Sequence, residues 1–319
     1  MSGDYIAHGV MLALAWFGAA NVLLCLIVAA VARRRVADPR PWTPGSWLAL
    51  RCLPAAASVF FVAAIFVPSY LRFEPRAAVE GFDLTLTLCA VGGLAVAIVA
   101  SLRGARAWNR ARRQSALWMR DARPLDGGAI GVPAYTIASA PTPRMVLAGI
   151  VSPRVFVSDS LIGVLTTEEL RATLAHEASH VRSADNLKRL VIRLLPDMLA
   201  GTRIAAAIEL RWATAAEHAA DAAATVSDPA ARCALASALV KVARLMPAPP
   251  VPFEPVSPLV GGGDLASRVE SLLSDATIAA APKRSRWPAV ATLACAAIAY
   301  APLLRAVHAV TEVLVNSLP

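Results

Sequence analysis

Residues 166–181 read TTEELRATLAHEASHV, and this stretch predicts the helix around which the rest of the chain is arranged. Thr166 can cap the helix and Glu169 occupies its third position, which is the capping-box pattern of a helix start. Leu170 and Leu174 then recur at the spacing of one apolar helix face. The stretch therefore predicts an amphipathic helix that ends in a cluster of polar residues.

Those polar residues, 176–180, are His-Glu-Ala-Ser-His. Two imidazoles four positions apart share one face of a helix, so both can reach a single metal ion. The pattern predicts His176 and His180 as two zinc ligands, with Glu177 as the general base facing the open side of the metal. The alternative is a pair of exposed helical histidines beside an ordinary acid.

A hydrolytic zinc site also needs a third protein ligand and a position for water. The Ala-rich segment WATAAEHAAD, residues 212–221, offers Glu217 as that ligand. Asp221 lies one turn later on the same face and can accept the outer N–H of a zinc-bound histidine, which fixes its tautomer and orientation. The neighbouring His218 is a less favoured alternative ligand. The other interpretation of Glu217 and Asp221 is that they are two ordinary acids on a solvated helix face. The sequence thus predicts Zn²⁺ as cofactor.

The motif and its upstream run resemble a known group of proteins. VSPRVFVS at 151–158, followed by LRATLAHE at 170–177, is similar to the integral-membrane gluzincins of the BlaR/MecR type, which are relatives of the HtpX and CAAX-prenyl proteases. The resemblance runs from about Pro133 to Leu273.

This resemblance implies a zinc metalloendopeptidase with a cytoplasmic α+β zincin-like (gluzincin) domain. Its metal ligands are His176, His180 and Glu217, and its general base is Glu177. About fifteen residues follow the last predicted membrane span, which leaves no room for the extracellular penicillin-binding sensor of the antibiotic receptors. We therefore do not expect β-lactam sensing.

The composition is that of a membrane protein. Of 319 residues, 57% are hydrophobic and 17% charged, which is too apolar for an ordinary soluble domain. The net charge of +9 could indicate nucleic-acid binding, but the basic residues flank apolar segments, where membrane orientation explains them. We expect a lipid bilayer as partner and no direct contact with nucleic acid.

Four apolar runs predict about four transmembrane helices in a mainly α protein. They are Ile6–Ala32, Leu53–Leu71, Leu84–Leu102 and Trp287–Leu304. Seven Arg between residues 103 and 123 mark a cytoplasmic face by the positive-inside rule. The predicted domains are three spans over 1–103, a cytoplasmic metalloprotease domain over 104–286, and a fourth span with a short external tail over 287–319. Both termini would be external to a bacterial inner membrane.

Inside the cytoplasmic domain, three β-prone segments at 134–137, 145–148 and 155–157 predict a small antiparallel sheet, whose edge could bind an extended substrate or which could serve packing alone. The apolar segment 187–208 carries charges too often for an unassisted span and predicts an amphipathic helix that lies against the membrane or packs on the spans, with a re-entrant or spanning element as the alternative. The Pro- and Gly-rich stretch 247–263 predicts a surface loop, with self-cleavage there as an alternative.

Two classes of function follow from these patterns. One is a membrane protease that cuts cytoplasmic or membrane proteins, for example a transcriptional repressor in signalling. The other is a non-proteolytic receptor or scaffold with a structural zinc site. Arg182 and His218 are candidates for stabilising the oxyanion of a protease. Gly92 and Gly93 would suit packing either within one chain or between the subunits of a homodimer.

Overall fold

A computed structural model describes residues 3–38, 42–75, 83–125, 131–138, 144–226, 228–245, 257–258, 265–274 and 287–317. Within these ranges, helices form the bulk of the protein and five strands form one small sheet. Most of the predicted loop 247–263 lies outside the described residues.

The N-terminal third consists of long helices: α1 (Gly3–Val36), α2 (Pro44–Phe61), α3 (Val67–Phe73) and α4 (Leu84–Trp118). A π-helical segment, Val62–Phe66, joins α2 and α3 into one continuous helix. In the part of the chain that the structure describes, three helices are long and apolar enough to cross a membrane, namely Gly3–Val36, Pro44–Phe73 and Leu84–Trp118. Each contains one of the first three predicted spans.

The last helix of the chain extends from Trp287 to Ser317 and covers the fourth predicted span, whose crossing stays a prediction. The helix continues well past Leu304 through the residues expected to form a short external tail. It packs on the N-terminal helices, since Trp16 Nε1 of α1 donates to Thr311 Oγ1 at 3.1 Å and Ser69 Oγ of α3 donates to the Leu304 backbone carbonyl at 2.7 Å.

Helix α1 packs closely on α4 because Gly93 has no side chain. A Cβ at Gly93 would lie 2.3 Å from the carbonyl oxygen of Leu14, whereas a Cβ at Gly92 would meet nothing within 4 Å. Gly93 therefore serves packing within one chain, as small residues do between membrane helices.

Helix α4 is longer than a bilayer requires. Its 35 residues span about 50 Å, compared with roughly 30 Å of hydrocarbon. It therefore continues across the predicted domain boundary at residue 103, and Trp118 at its end packs against Phe156 of the sheet with ring centroids 5.4 Å apart. The third span is thus physically connected to the sheet.

The sheet contains β1 (Ala122–Leu125), β2 (Ala134–Ile137), β3 (Met145–Ala148), β4 (Arg154–Ser158) and β5 (Ser257–Pro258), in the order β1-β2-β4-β3-β5. The three predicted strands are present as β2, β3 and β4. The prediction of an antiparallel sheet was wrong for one pair, because β2 and β4 are parallel. Strand β4 turns back from β3 through Gly149, whose φ is +97°, and inserts between β3 and β2.

The helical part of this domain comprises α5 (Asp159–Ile162), α6 (Thr167–Arg182), α7 (Asp185–Leu194), α8 (Arg203–Ala224), α9 (Pro229–Leu245) and α10 (Leu265–Leu273). The C-terminal helix described above is α11 (Trp287–Ser317), and it packs on the N-terminal helices instead. Helix α6 packs between the sheet and α9 around a buried apolar core that includes Val155, Val157, Leu161, Leu174, Leu235 and Leu239.

The predicted capping box of α6 is confirmed. Thr166 Oγ1 accepts from the Glu169 amide at 3.2 Å, and Glu169 Oε2 accepts from the Thr166 amide at 2.8 Å. Glu169 also accepts from Ser237 Oγ at 2.6 Å and from Lys241 Nζ at 2.8 Å, both on α9. Glu169 therefore takes part in the cap of α6 and also attaches the start of this helix to α9.

The prediction of one amphipathic helix over 187–208 was wrong. Helix α7 ends at Leu194, residues 195–202 are not part of an α-helix, and Thr202 caps the new helix α8. Pro196 cannot donate a backbone hydrogen bond within a helix, which explains the break. Its carbonyl instead accepts from Asn21 Nδ2 of α1 at 2.9 Å.

A buried ion cluster fixes this break to the membrane helices. Arg51 of α2, 1% exposed, contacts Asp197 Oδ2 through Nη1 at 2.8 Å and Glu209 Oε1 through Nε at 2.9 Å. Removing one partner of such a buried cluster typically leaves an uncompensated charge. Because Glu209 lies two turns before Glu217, the cluster also anchors α8 to the second long membrane helix.

Candidate metal centre

Helices α6 and α8 bring three predicted ligands together. Nε2 of His176 lies 3.5 Å from Glu217 Oε2, and Nε2 of His180 lies 3.6 Å from Glu217 Oε1. The two Nε2 atoms are 3.2 Å apart. One ligand atom from each residue lies within 4.8 Å of the others, and all three residues are at most 1% exposed. Two imidazole nitrogens and a carboxylate oxygen thus surround one small volume.

The outer nitrogen of each histidine faces a carboxylate. His176 Nδ1 lies 2.9 Å from Asp221 Oδ1, and His180 Nδ1 lies 2.7 Å from Asp185 Oδ2. These contacts favour the tautomer with hydrogen on Nδ1, which directs both Nε2 lone pairs toward Glu217. Asp221 therefore lies next to the outer nitrogen of His176, and its role in orienting that histidine stays a prediction.

Sequence reasoning did not identify Asp185. It reaches His180 because α6 and α7 meet at a tight turn, in which Ala184 adopts a left-handed φ of 55°. The only available signal was a single acid five residues after the motif. An uninterrupted helix would have placed that acid away from the histidine ring.

Arg268 of α10 was also missed. Its Nε and Nη2 donate to Asp221 Oδ2 and Oδ1, each at 2.7 Å, and its Nη1 lies 3.0 Å from Glu217 Oε2. The guanidinium thus contacts Glu217, a predicted ligand, and also Asp221, the carboxylate beside His176. Its two hydrogen bonds to Asp221 form a bidentate pair. Its sequence separation of 47 residues from Asp221 gave no local pattern that could reveal the contact.

The electrostatics of the centre favour a cation. Burial lowers the pKa of His176, but contacts with Asp221 and Glu217 outweigh burial and raise that pKa overall. For His180, burial is outweighed by Glu217 and Asp185, which raise the pKa from 6.5 to about 10. Burial opposes ionisation of Glu217, yet the two histidines and Arg268 hold its pKa well below the usual range. The carboxylates thus favour positive charge on the two imidazoles.

Glu177 lies on α6, the helix that carries the two histidines. It is fully buried, and burial raises the pKa of its carboxyl. Among the described residues, neither of its carboxylate oxygens has a hydrogen-bond partner, and neither oxygen of Glu217 accepts a hydrogen bond of good geometry. Buried carboxylate oxygens are normally paired or coordinate a metal. A donor set of two imidazoles and one carboxylate fits Zn²⁺ and leaves a coordination position for water.

The weaker candidates lie elsewhere. Half-buried His218 points its Nε2 toward Ser267 Oγ at 3.4 Å and does not belong to the ligand group found among the described residues. Arg182 is exposed. A third residue that sequence reasoning missed is Arg189, which is buried and lies with its Cζ 5.4 Å from the ring centroid of Trp212. Burial lowers the pKa of Arg189 overall, although Glu217 and other acids of the centre act to raise it.

Residues 137–248 match the family described as Peptidase family M48. No curated protein sequence matches this chain. The matched segment is about a third of the chain and contains α6 and α8, and therefore the three ligand residues and Glu177. The match supports a zinc metallopeptidase of that family. Helices α1 to α4 and Arg268 lie outside it.

Proposed function

We propose that this chain is a membrane-embedded, zinc-dependent endopeptidase of the BlaR/MecR type that hydrolyses peptide bonds of cytoplasmic or membrane proteins. The observation that carries the proposal is the convergence of His176, His180 and Glu217 within 4.8 Å, on the helices that the peptidase family match contains. Three ligands leave one position for water, as a hydrolytic site requires, whereas a structural site in a scaffold fills all four.

The chemistry follows from the residues around the centre. His176, His180 and Glu217 would hold the metal. When bound, Zn²⁺ supplies Lewis-acid activation of water and of the scissile carbonyl. Glu177 takes the proton of the attacking water and passes it to the leaving amine. Its raised pKa suits a carboxylate that must accept a proton before donating it.

Substrate access requires a local rearrangement. Glu177 is 0% exposed, so a peptide reaches it only after covering elements move. Strand β5 pairs with β3 through Leu147↔Ser257 and Val146↔Pro258, and Asn186 of α7 donates to the Leu147 carbonyl at 3.3 Å. An extended substrate that adds a strand to β3 would therefore have to replace β5. Edge-strand binding is part of the proposal.

The proposal places the protein in a bacterial inner membrane with four spans, external termini and a cytoplasmic catalytic domain. The Arg-rich segment after Leu102 supports this orientation. A cytoplasmic transcriptional repressor as substrate, and a homodimer as the assembly, are further parts of the proposal. A reporter fused after Leu318 should behave as exported, and a cytoplasmic reporter there would overturn the orientation.

The decisive experiment compares Glu177→Gln with the unaltered protein. The Gln variant should retain zinc and lose peptide cleavage, because the base is removed while all ligands stay. His176→Ala should lose zinc. Glu168→Gln, an exposed acid in the first turn of α6, is the matched control and should cleave normally.

The readout is the set of cell-protein fragments that appear only with the active form. Substantial cleavage by the Glu177→Gln variant would contradict the assignment of the general base. Full zinc retention by His176→Ala would contradict the ligand assignment.

A further inference from the structure

A second group of metal-ligating side chains lies outside the centre described above. It consists of Glu74 at the end of α3 and of His308 and Glu312 on α11. His308 and Glu312 are four residues apart, so both face the same side of the helix. One potential ligand atom from each residue lies within 4.8 Å of the others.

This group is far from the first centre. Glu74 follows Arg51 by 23 residues, which corresponds to roughly 35 Å of helix. Arg51 contacts α8 near the first centre, so Glu74 marks the opposite end of the helical bundle. An ion bound there cannot share ligands with His176 or His180.

The group is fixed in place by packing. The ring of His308 stacks on Phe73, with centroids 5.7 Å apart and an interplanar angle of 28°. The side chain of Glu74 is 6% exposed and that of His308 is 24% exposed. One turn after His308 on α11, Thr311 Oγ1 accepts a hydrogen bond from Trp16 Nε1 of α1. The imidazole is therefore held beside two carboxylates by contacts that do not involve them.

The separation between imidazole and carboxylate is similar in the two groups. His308 Nδ1 and Glu74 Oε2 are 3.8 Å apart, which is too long for a hydrogen bond. In the first centre the corresponding histidine-to-Glu217 distances are 3.5 and 3.6 Å. The second group thus has a similar separation between imidazole nitrogen and carboxylate oxygen.

We propose that Glu74, His308 and Glu312 form a second binding site for a divalent transition-metal ion of the Zn²⁺ class. One imidazole and two carboxylates suit Zn²⁺, whereas Ca²⁺ and Mg²⁺ prefer oxygen ligands alone. The ion would connect α3 to α11, two helices otherwise joined here by hydrogen bonds such as that of Ser69 to Leu304. Binding should therefore also resist separation of these helices.

The test is zinc stoichiometry of the full chain in detergent micelles, after equilibration with buffered Zn²⁺. The unaltered protein should hold two zinc ions per chain. His176→Ala and His308→Ala should each hold one, and the double variant should hold none. His218→Ala is the matched control and should hold two, because His218 belongs to neither group.

Two further measurements separate loss of a ligand from loss of the fold. Glu312→Gln should lower zinc occupancy like His308→Ala, and both variants should retain the peptide cleavage of the first centre. Added Zn²⁺ should raise the melting temperature of His176→Ala, but not that of the double variant. Equal zinc content in the unaltered protein and in His308→Ala, or no zinc in His176→Ala, would overturn the proposal.

Discussion

Replacing Asp185 by Ala tests whether an acid outside the ligand set controls metal affinity. Asp185 Oδ2 lies 2.7 Å from His180 Nδ1, and Asp185 is 3% exposed. Its carboxylate orients the imidazole and makes Nε2 a better electron donor. Without it, the ring of His180 can rotate and its tautomer is no longer fixed.

Loss of such an outer partner typically weakens metal binding about 10- to 100-fold, which corresponds to about 1.4–2.7 kcal/mol. The second contact of Asp185, from Oδ1 to Lys188 Nζ at 2.9 Å, adds little, because Lys188 is 31% exposed and exposed ion pairs contribute about 0–1 kcal/mol. We therefore expect the zinc dissociation constant of Asp185→Ala to rise by that factor. Asp185→Asn keeps an acceptor oxygen without the charge and should show a smaller rise.

The assay is competition for zinc against a fluorescent chelator, with the full chain in detergent. Lys188→Met is the control and should leave the dissociation constant unchanged, since it removes the other partner of Asp185 alone. An unchanged constant in Asp185→Ala, with a normal melting curve of the metal-free protein, would refute the reasoning. An equal rise in Lys188→Met would do so as well.

Two further predictions concern protonation and helix packing. Because the pKa of His180 rises from 6.5 to about 10 on folding, its charge stabilises the metal-free fold fully below pH 6.5, and this contribution is lost as pH rises toward 10. Zinc binding at pH 7 should accordingly release a proton, seen as buffer-dependent heat in titration calorimetry; heat independent of the buffer would contradict it. Gly93→Ala should lower unfolding stability by about 1–3 kcal/mol through its clash with Leu14, while Gly92→Ala should change it little. Equal thermal shifts in the two variants would contradict this packing argument.

The parts of the centre that sequence predicted share a local origin. His176, Glu177 and His180 lie within two turns of one helix, and the capping box at Thr166 shows where that helix starts. Helical periodicity then determines which side chains share a face. Glu217 and Asp221 were found by the same rule, applied to a second helix.

The parts that sequence did not predict depend on chain reversals. Asp185 reaches His180 because the backbone turns at Ala184. Arg268 reaches Asp221 from α10, a helix that follows 47 residues later in the chain. The break of the predicted helix at Pro196 follows from its docking on α1 as well as from its ring. None of these contacts has a fixed sequence spacing.

By itself the sequence predicted the apolar helices and the helix that carries His176, Glu177 and His180, because each depends on periodicity or composition within one segment. Only the tertiary structure decided the parallel pairing of β2 with β4, the positions of Asp185 and Arg268 behind the ligands, and the meeting of Glu74 with His308. Those features arise when distant segments compete for the same buried space, and the free energy of that packing belongs to the whole fold rather than to any one segment.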